Sequence, residues 1–157
     1  MKILSLWNRL ARWPGGKCLF SGLLALKVPY SGTLCARVLE LSAGHARVKL
    51  KERWRLRNHL QSIHAIALIN LGEMASGLAL IAALPSSKRG IVTRLEIDYL
   101  KKARGILIAE ADLDPSLFSS ADSQELRVES LIRDAQGDLV ARVVACWKIS
   151  DQKVRAR

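Results

Sequence analysis

The spacing of apolar residues changes period several times along the chain. Ile3, Leu6, Trp7 and Leu10 recur at helical spacing, with Lys2, Arg9 and Arg12 elsewhere, which predicts an amphipathic helix over 3–12. Pro14-Gly15-Gly16 ends it, a second short helix is expected over 17–26, and Pro29-Tyr30-Ser31-Gly32 closes the region. From Thr33 the period drops to two. A strand is expected over 33–41, then a turn at Ser42-Ala43-Gly44, then the clearest alternation in the chain. Arg47, Lys49, Lys51, Arg53, Arg55 and Arg57 take the odd positions, while Ala46, Val48, Leu50, Trp54 and Leu56 take the even ones, with Glu52 the exception. A single strand would carry all six cations on one face and the apolar set on the core face.

Asn58-His59-Leu60-Gln61-Ser62 interrupts this pattern, and Ser62 is suited to cap a helix. Residues 63–84 then read as one long helix that is apolar nearly all round, so it should be surrounded by protein. The run is long enough to cross a membrane, yet His64, Asn70 and Glu73 lie inside it, and an ionised carboxylate near a bilayer centre is costly. Four further strands are expected at 91–101, 106–113, 124–133 and 139–149, with Ile91, Thr93, Leu95, Ile97 and Tyr99 sharing one side of the first. Asp134-Ala135-Gln136-Gly137-Asp138 is a hairpin loop. Strand runs joined by hairpins point to an α+β fold with an antiparallel sheet. One flat sheet would leave an all-apolar helix uncovered, whereas a curved sheet wrapped around it would not. The chain divides into an N-terminal helical extension (1–32), a core domain (33–150) and a polar tail (151–157) expected to fray.

Composition narrows the class. The 157 residues are 50% hydrophobic and 25% charged, enough for one domain and too apolar for a long disordered chain. Three Cys (Cys18, Cys35, Cys146) with no paired spacing argue against a disulfide framework and structural zinc, and suit a reduced, cytoplasmic chain. The net charge of +11 is uneven: residues 1–57 hold 12 Lys/Arg against 2 Asp/Glu. Such a basic region is either a solvated face or one that attracts a polyanion.

Glu73 is the residue that best carries chemistry. No Lys or Arg occurs in 58–87, so no cation on the same helix can pair with it. A buried, unpaired carboxylate is a candidate base or nucleophile with a raised pKa, the alternative being an ion pair with a strand arginine. His64 lies in the first turn, where the N–H groups of Ile63, His64, Ala65 and Ile66 lack intrahelical acceptors and can hold a carbonyl oxygen. Nine residues separate His64 from Glu73, roughly 13 Å on opposite helix faces. Both can serve one site only if two chains set their helices side by side, which predicts a two-fold dimer with composite sites.

The segment NHLQSIHAIALINLGEMASG (58–77) resembles the signature of hotdog-fold acyl-CoA thioesterases, of the phenylacetate-pathway type and its relatives of unknown function. That signature places Asn, then His six residues on, then a carboxylate nine further; Asn58, His64 and Glu73 fall on it. RLEIDYLKKARG (94–105) and DAQGDLVARVVACW (134–147) look like the family's corner strand and last hairpin. The likeness covers about 33–149. It implies a hotdog fold, hydrolysis of an acyl-CoA or related thioester, Glu73 as base or nucleophile, Asn58 positioning carbonyl or water, and an oxyanion site near Ala65. His64 would shape the loop. Lys101, Lys102 and Arg104 would meet CoA phosphates, Thr93 would lend a supporting hydroxyl, and Ile66 would border the substrate. It also implies a homodimer that can pair into a tetramer, with CoA as part of the substrate and neither metal nor other cofactor. The family's Gly-Gly after the His is Ala65-Ile66 here, and its Gly two positions before is Ser62.

Three other readings compete. The departures from Gly-Gly suit a non-catalytic acyl-CoA or lipid binder. The basic strand 47–57 suits nucleic acid, although aromatics for stacking are scarce on that face. Trp7 and Trp13 beside cations in residues 2–13 suit peripheral contact with a membrane surface, which is compatible with thioester hydrolysis.

Overall fold

Six strands put their apolar positions on one side, and that side curves around a single long helix. The computed structural model describes residues 3–118 and 124–152. The elements run α1 (Ile3–Leu10), α2 (Gly16–Lys27), α3 (Pro29–Gly32), β1 (Arg37–Ser42), β2 (His45–Lys51), α4 (Ala65–Ala83), β3 (Lys88–Tyr99), β4 (Ile106–Asp112), β5 (Gln124–Asp134) and β6 (Leu139–Asp151). Short 3-10 turns lie at Trp54–Leu56 and Pro115–Phe118. The sheet is wholly antiparallel in the order β1-β2-β4-β5-β6-β3. The expected tail lies outside the described residues from 153 on, and Ser150 and Asp151 still belong to β6.

Helix α4 packs on the concave face. Leu71, Ala75, Ala79 and Leu80 are fully buried against strand residues such as Val48, Leu107, Ile132 and Val143. Burying a leucine of this kind contributes about 1.5–3 kcal/mol, so the helix is held by its surroundings rather than by propensity. With a mean hydropathy of 1.7 the helix is apolar enough to span a bilayer, and the sheet and N-terminal helices bury much of it inside the protein. Gly72 permits the close approach: a Cβ there would lie 2.5 Å from the Val143 Cβ, and the Ser130 hydroxyl donates to the Gly72 carbonyl at 2.8 Å.

The N-terminal helices share this core. Trp7 and Phe20 are buried and meet edge to face at 5.0 Å. They also seal the β1 edge, because the Ser21 hydroxyl accepts from Val38 N–H at 3.0 Å and Lys17 Nζ donates to the Leu39 carbonyl at 2.7 Å.

Four expectations require correction. The basic strand stops at Lys51 instead of running to Arg57. Its alternation would have sent Glu52 into the core; the carboxylate instead accepts from Gly105 N–H and Arg57, and the chain turns through Trp54–Leu56. Trp54, expected in the core, is 82% exposed. Arg53 turns back to the Leu34 carbonyl and Arg57 to Glu52, so no continuous stripe of six cations exists. Strand β1 begins at Arg37, not Thr33, because α3 and a turn through Cys35 at φ 43° occupy the preceding residues.

The third correction concerns α4, which starts at Ala65 with His64 as its cap. Ser62 is buried and spends its hydroxyl on Asn58 Oδ1 at 3.1 Å. Finally, Ile91 and Thr93 do not share a side with Leu95. The register against β6 slips between Val92 and Arg94, leaving Thr93 as the extra residue of a bulge. Partners in an antiparallel ladder share a face. Leu95, Ile97 and Tyr99, opposite buried Ala145, Val143 and Ala141, therefore point to the concave side, while Ile91, opposite exposed Lys148, points away.

Candidate functional site

Helix α4 is continuous, and its middle carries Glu73. The side chain is half-buried, and among the described residues no cation pairs with it. Burial pushes its pKa above the usual carboxylate range. One carboxylate oxygen lies over Gly77, 4.0 Å from where a Cβ would sit, and the Trp147 ring fills the same gap at 3.1 Å. Here Glu73 borders a cavity of about 110 Å³ between α2 and α4. Apart from Glu73, its walls are apolar side chains, small residues and two serines. Both hydroxyls are spent inside the protein: Ser21 on Lys17 and Val38, Ser31 on Asn70 Oδ1. The Trp147 indole N–H is buried and has no partner among the described residues.

The start of α4 is a second centre. Of the four N–H groups expected to be open, three are closed. Ile63 N–H donates to the Ala103 carbonyl at 2.8 Å, His64 N–H to Leu56 at 2.7 Å, and Ile66 N–H to His64 Nδ1 at 3.1 Å. The loop folds back on itself and uses these donors. Only the Ala65 N–H is left without an acceptor among the described residues of this turn. Asn58 organises the loop: its Oδ1 accepts from Leu60 N–H at 2.9 Å and Ser62 N–H at 3.2 Å. The Tyr99 hydroxyl donates to the Ala65 carbonyl at 3.4 Å, and desolvation raises its pKa. Ile66 is half-exposed beside this turn.

The basic corner is divided. Lys101 is held by Asp134 and Asp138, each at 2.6 Å, and those hydrogen bonds raise its pKa while depressing that of Asp134. It fastens the end of β3 to the last hairpin. Arg104 donates to the Gln61 carbonyl at 3.2 Å and Lys102 is exposed, both beside the α4 start. Trp54 and Arg55, also exposed, lie in the turn whose Leu56 carbonyl receives His64 N–H. Thr93 sits on the bulge and donates to the Cys146 carbonyl at 3.2 Å.

The structure thus brings Asn58, His64, Ala65, Ile66, Arg104 and the surroundings of Lys102 to one end of α4. Glu73 stands about 13 Å away along the same rod. Sequence reasoning missed Trp147, Met74 and the α2 residues around Glu73, because nothing in local spacing shows which distant helix covers it. Trp54 was missed as a surface group because its parity matched the core. On the outer sheet face, His45, Glu110 and Asp112 gather within 4.8 Å, but Arg47 pairs with Glu110 and Glu40, and His45 with Asp112.

A structural-genomics crystal structure is similar over 96% of this chain and 99% of its own, at 26% identity and a TM-score of 0.80. A Pseudomonas aeruginosa protein of unknown function, named a probable thioesterase, matches 89% of this chain and 97% of its own at 22% identity and a TM-score of 0.78. A Haemophilus influenzae thioesterase matches 82% of this chain and 87% of its own at 12% identity and a TM-score of 0.69. These likenesses establish the hotdog fold. No curated protein matches the sequence. The family model that fits residues 16–149 is described as a domain of unknown function, DUF4442, and the chain belongs to that family.

Proposed function

We propose that the protein is a thioesterase that hydrolyses acyl-CoA or a related acyl thioester. The observation that carries this reading is Glu73, a half-buried carboxylate with no cationic partner among the described residues and a raised pKa, lining a cavity inside a fold shared with proteins named thioesterases. A helix does not keep such a group for stability, because a buried charge without a partner costs several kcal/mol.

The site is composite. Among the described residues strand β3 is an edge that pairs only with β6, and Leu95 and Tyr99 on its concave side are 36% and 52% exposed. Ile66 and Ile81 on α4 are also about half-exposed. A long edge strand with uncovered apolar side chains invites another chain. Two copies joined along β3 cover these residues and bring Glu73 of one toward the α4 start of the other.

There, Ala65 N–H polarises the thioester carbonyl, and its hydrogen bond strengthens as negative charge develops on oxygen. Glu73 takes a proton from water, whose oxygen adds to the carbonyl carbon. The C–S bond then breaks, and the thiolate leaves with that proton, giving a free acid and a thiol. Direct attack by the carboxylate would reach the same products through an anhydride that water opens. Asn58 and His64 hold the loop. Lys102, Arg104, Arg55 and Trp54 border the α4 start where a nucleotide-bearing thiol would lie.

A panel of acyl-CoA substrates with free-thiol detection tests this, comparing wild type with Glu73→Gln. Turnover that falls by a factor of a hundred or more in the variant is the expected result. A protein that binds acyl-CoA without turning it over, with equal affinity in both forms, is a binding module instead.

A further inference from the structure

The cavity beside Glu73 has a roof that the hotdog core does not supply. Its lower wall is α4 (Met74, Ile81) and β6 (Trp147), whereas its upper wall is α2 (Leu24, Ala25), the adjoining α3 and Val28 between them. We infer that α2 and α3 make this cavity an acyl pocket for compact apolar groups, ring-sized or branched, and exclude long straight chains. The inference rests on the thioesterase reading of Glu73 and goes beyond it by naming the acyl class.

Size and polarity carry the argument. The volume of about 110 Å³ is of the same order as an apolar cavity of ~150 Å³ known to take benzene. A benzoyl or isovaleryl group is on that scale, and a palmitoyl tail is several times larger. The wall offers a ligand almost no polar contact, since Ser21 and Ser31 have spent their hydroxyls on the protein. A polar acyl group would therefore be stripped of water without compensation. What remains polar is the Glu73 carboxylate, which places the reacting end of the acyl group at its side of the chamber.

The chamber also has fixed limits. Phe20, fully buried, anchors α2, and the Ser31–Asn70 hydrogen bond of 3.0 Å ties α3 to α4. The roof is therefore packed in place and does not swing aside to lengthen the pocket. Gly77 sets the depth: the Trp147 ring lies 3.1 Å from where a Cβ would sit. Ala25, on the roof, is the position at which added volume enters the chamber with least effect on the core, being half-exposed.

The test uses two readouts on the full-length protein. The first is kcat/KM for benzoyl-, isovaleryl-, decanoyl- and palmitoyl-CoA in wild type, Ala25→Leu and Met74→Ala. Wild type should favour the two compact groups over palmitoyl at least tenfold. Ala25→Leu should lower the benzoyl-to-palmitoyl ratio tenfold, and Met74→Ala should raise relative decanoyl turnover. The second is calorimetric binding of benzamide, isovaleramide and decanamide, neutral groups that need no hydrolysis. The first two should bind wild type and lose affinity at least fivefold in Ala25→Leu, with decanamide weaker. Amide binding of this pattern without any thioester turnover would sink the enzymatic reading and leave the pocket standing. Equal or better binding of decanamide, unchanged binding in Ala25→Leu, or no amide binding at all would overturn the pocket.

Discussion

Substituting alanine at two glycines should produce opposite effects on stability. Gly22 lies inside α2 with nothing within 4 Å of a new Cβ. Gly22→Ala therefore gains only helix propensity, about 0.5–1 kcal/mol. Gly72 lies inside α4, where the same Cβ would meet the Val143 Cβ and Cγ2 at 2.5 Å and Cγ1 at 2.9 Å. Ordinary carbon contacts are ~3.5–4.0 Å, so the helix must retreat by roughly 1 Å from β6. Such a gap forfeits a quarter to a half of the dispersion energy along the contact, and overpacking of this kind costs about 3 kcal/mol. Set against about 1 kcal/mol of propensity, Gly72→Ala should lose about 2 kcal/mol net. Because the Val143 Cβ is itself one of the clashing atoms, adding Val143→Ala removes the Cγ conflicts and only part of the loss. Urea denaturation of the three variants measures each value. A Gly72→Ala protein as stable as wild type would refute the close helix–strand contact on which the position of the neighbouring Glu73 depends.

Other consequences follow from the charges and caps. Glu73 has a folded pKa above its ordinary 4.5, so the folded state holds the proton longer than the unfolded chain. Wild-type stability relative to Glu73→Gln should therefore fall as pH rises through the interval between those values, by at most about 1.4 kcal/mol per pH unit, and then level off; denaturation at stepped pH reads this, and a constant difference would contradict it. Lys101→Ala should weaken the protein at neutral pH and not below pH ~2, because Asp134, whose pKa Lys101 depresses below 3.8, contributes stability that disappears as it protonates; melting curves at both pH values test it. His64→Ala removes the acceptor of Ile66 N–H and should cost about 1 kcal/mol, measured by urea denaturation.

Much of the fold was written in local spacing, and its failures have physical causes. The apolar run from Ile63 identified the central helix because a helix buried all round needs no polar face, and one acid inside it marked a candidate site. Strand alternation located β2 but could not show where it stops. Parity alone put Trp54 in the core; the decisive fact was Glu52, whose carboxylate finds Gly105 N–H fifty-three residues away. In β3 a single bulge residue, Thr93, inverted the sides of everything after it, and no periodic pattern announces such a slip. The α4 start looked like four open donors because sequence shows which N–H groups lack helical acceptors, not which carbonyls a neighbouring loop will bring. The roof over Glu73 depends on contacts of α2 and α3 with α4, such as Ser31 to Asn70 across 39 residues, beyond any local signal.

The two edges of the sheet have opposite fates. Along β1 the chain spends its own Ser21 hydroxyl and Lys17 ammonium on the Val38 N–H and Leu39 carbonyl, so those positions are no template for another strand. Along β3 the outer ladder faces no strand of its own chain among the described residues. A ribbon that can lengthen from one side only cannot polymerise by adding strands. Once one copy meets another through β3, both open sides are consumed and growth halts at two. The N-terminal helices would in that way act as a terminator, allowing an exposed strand to serve association without making the protein a seed for fibres.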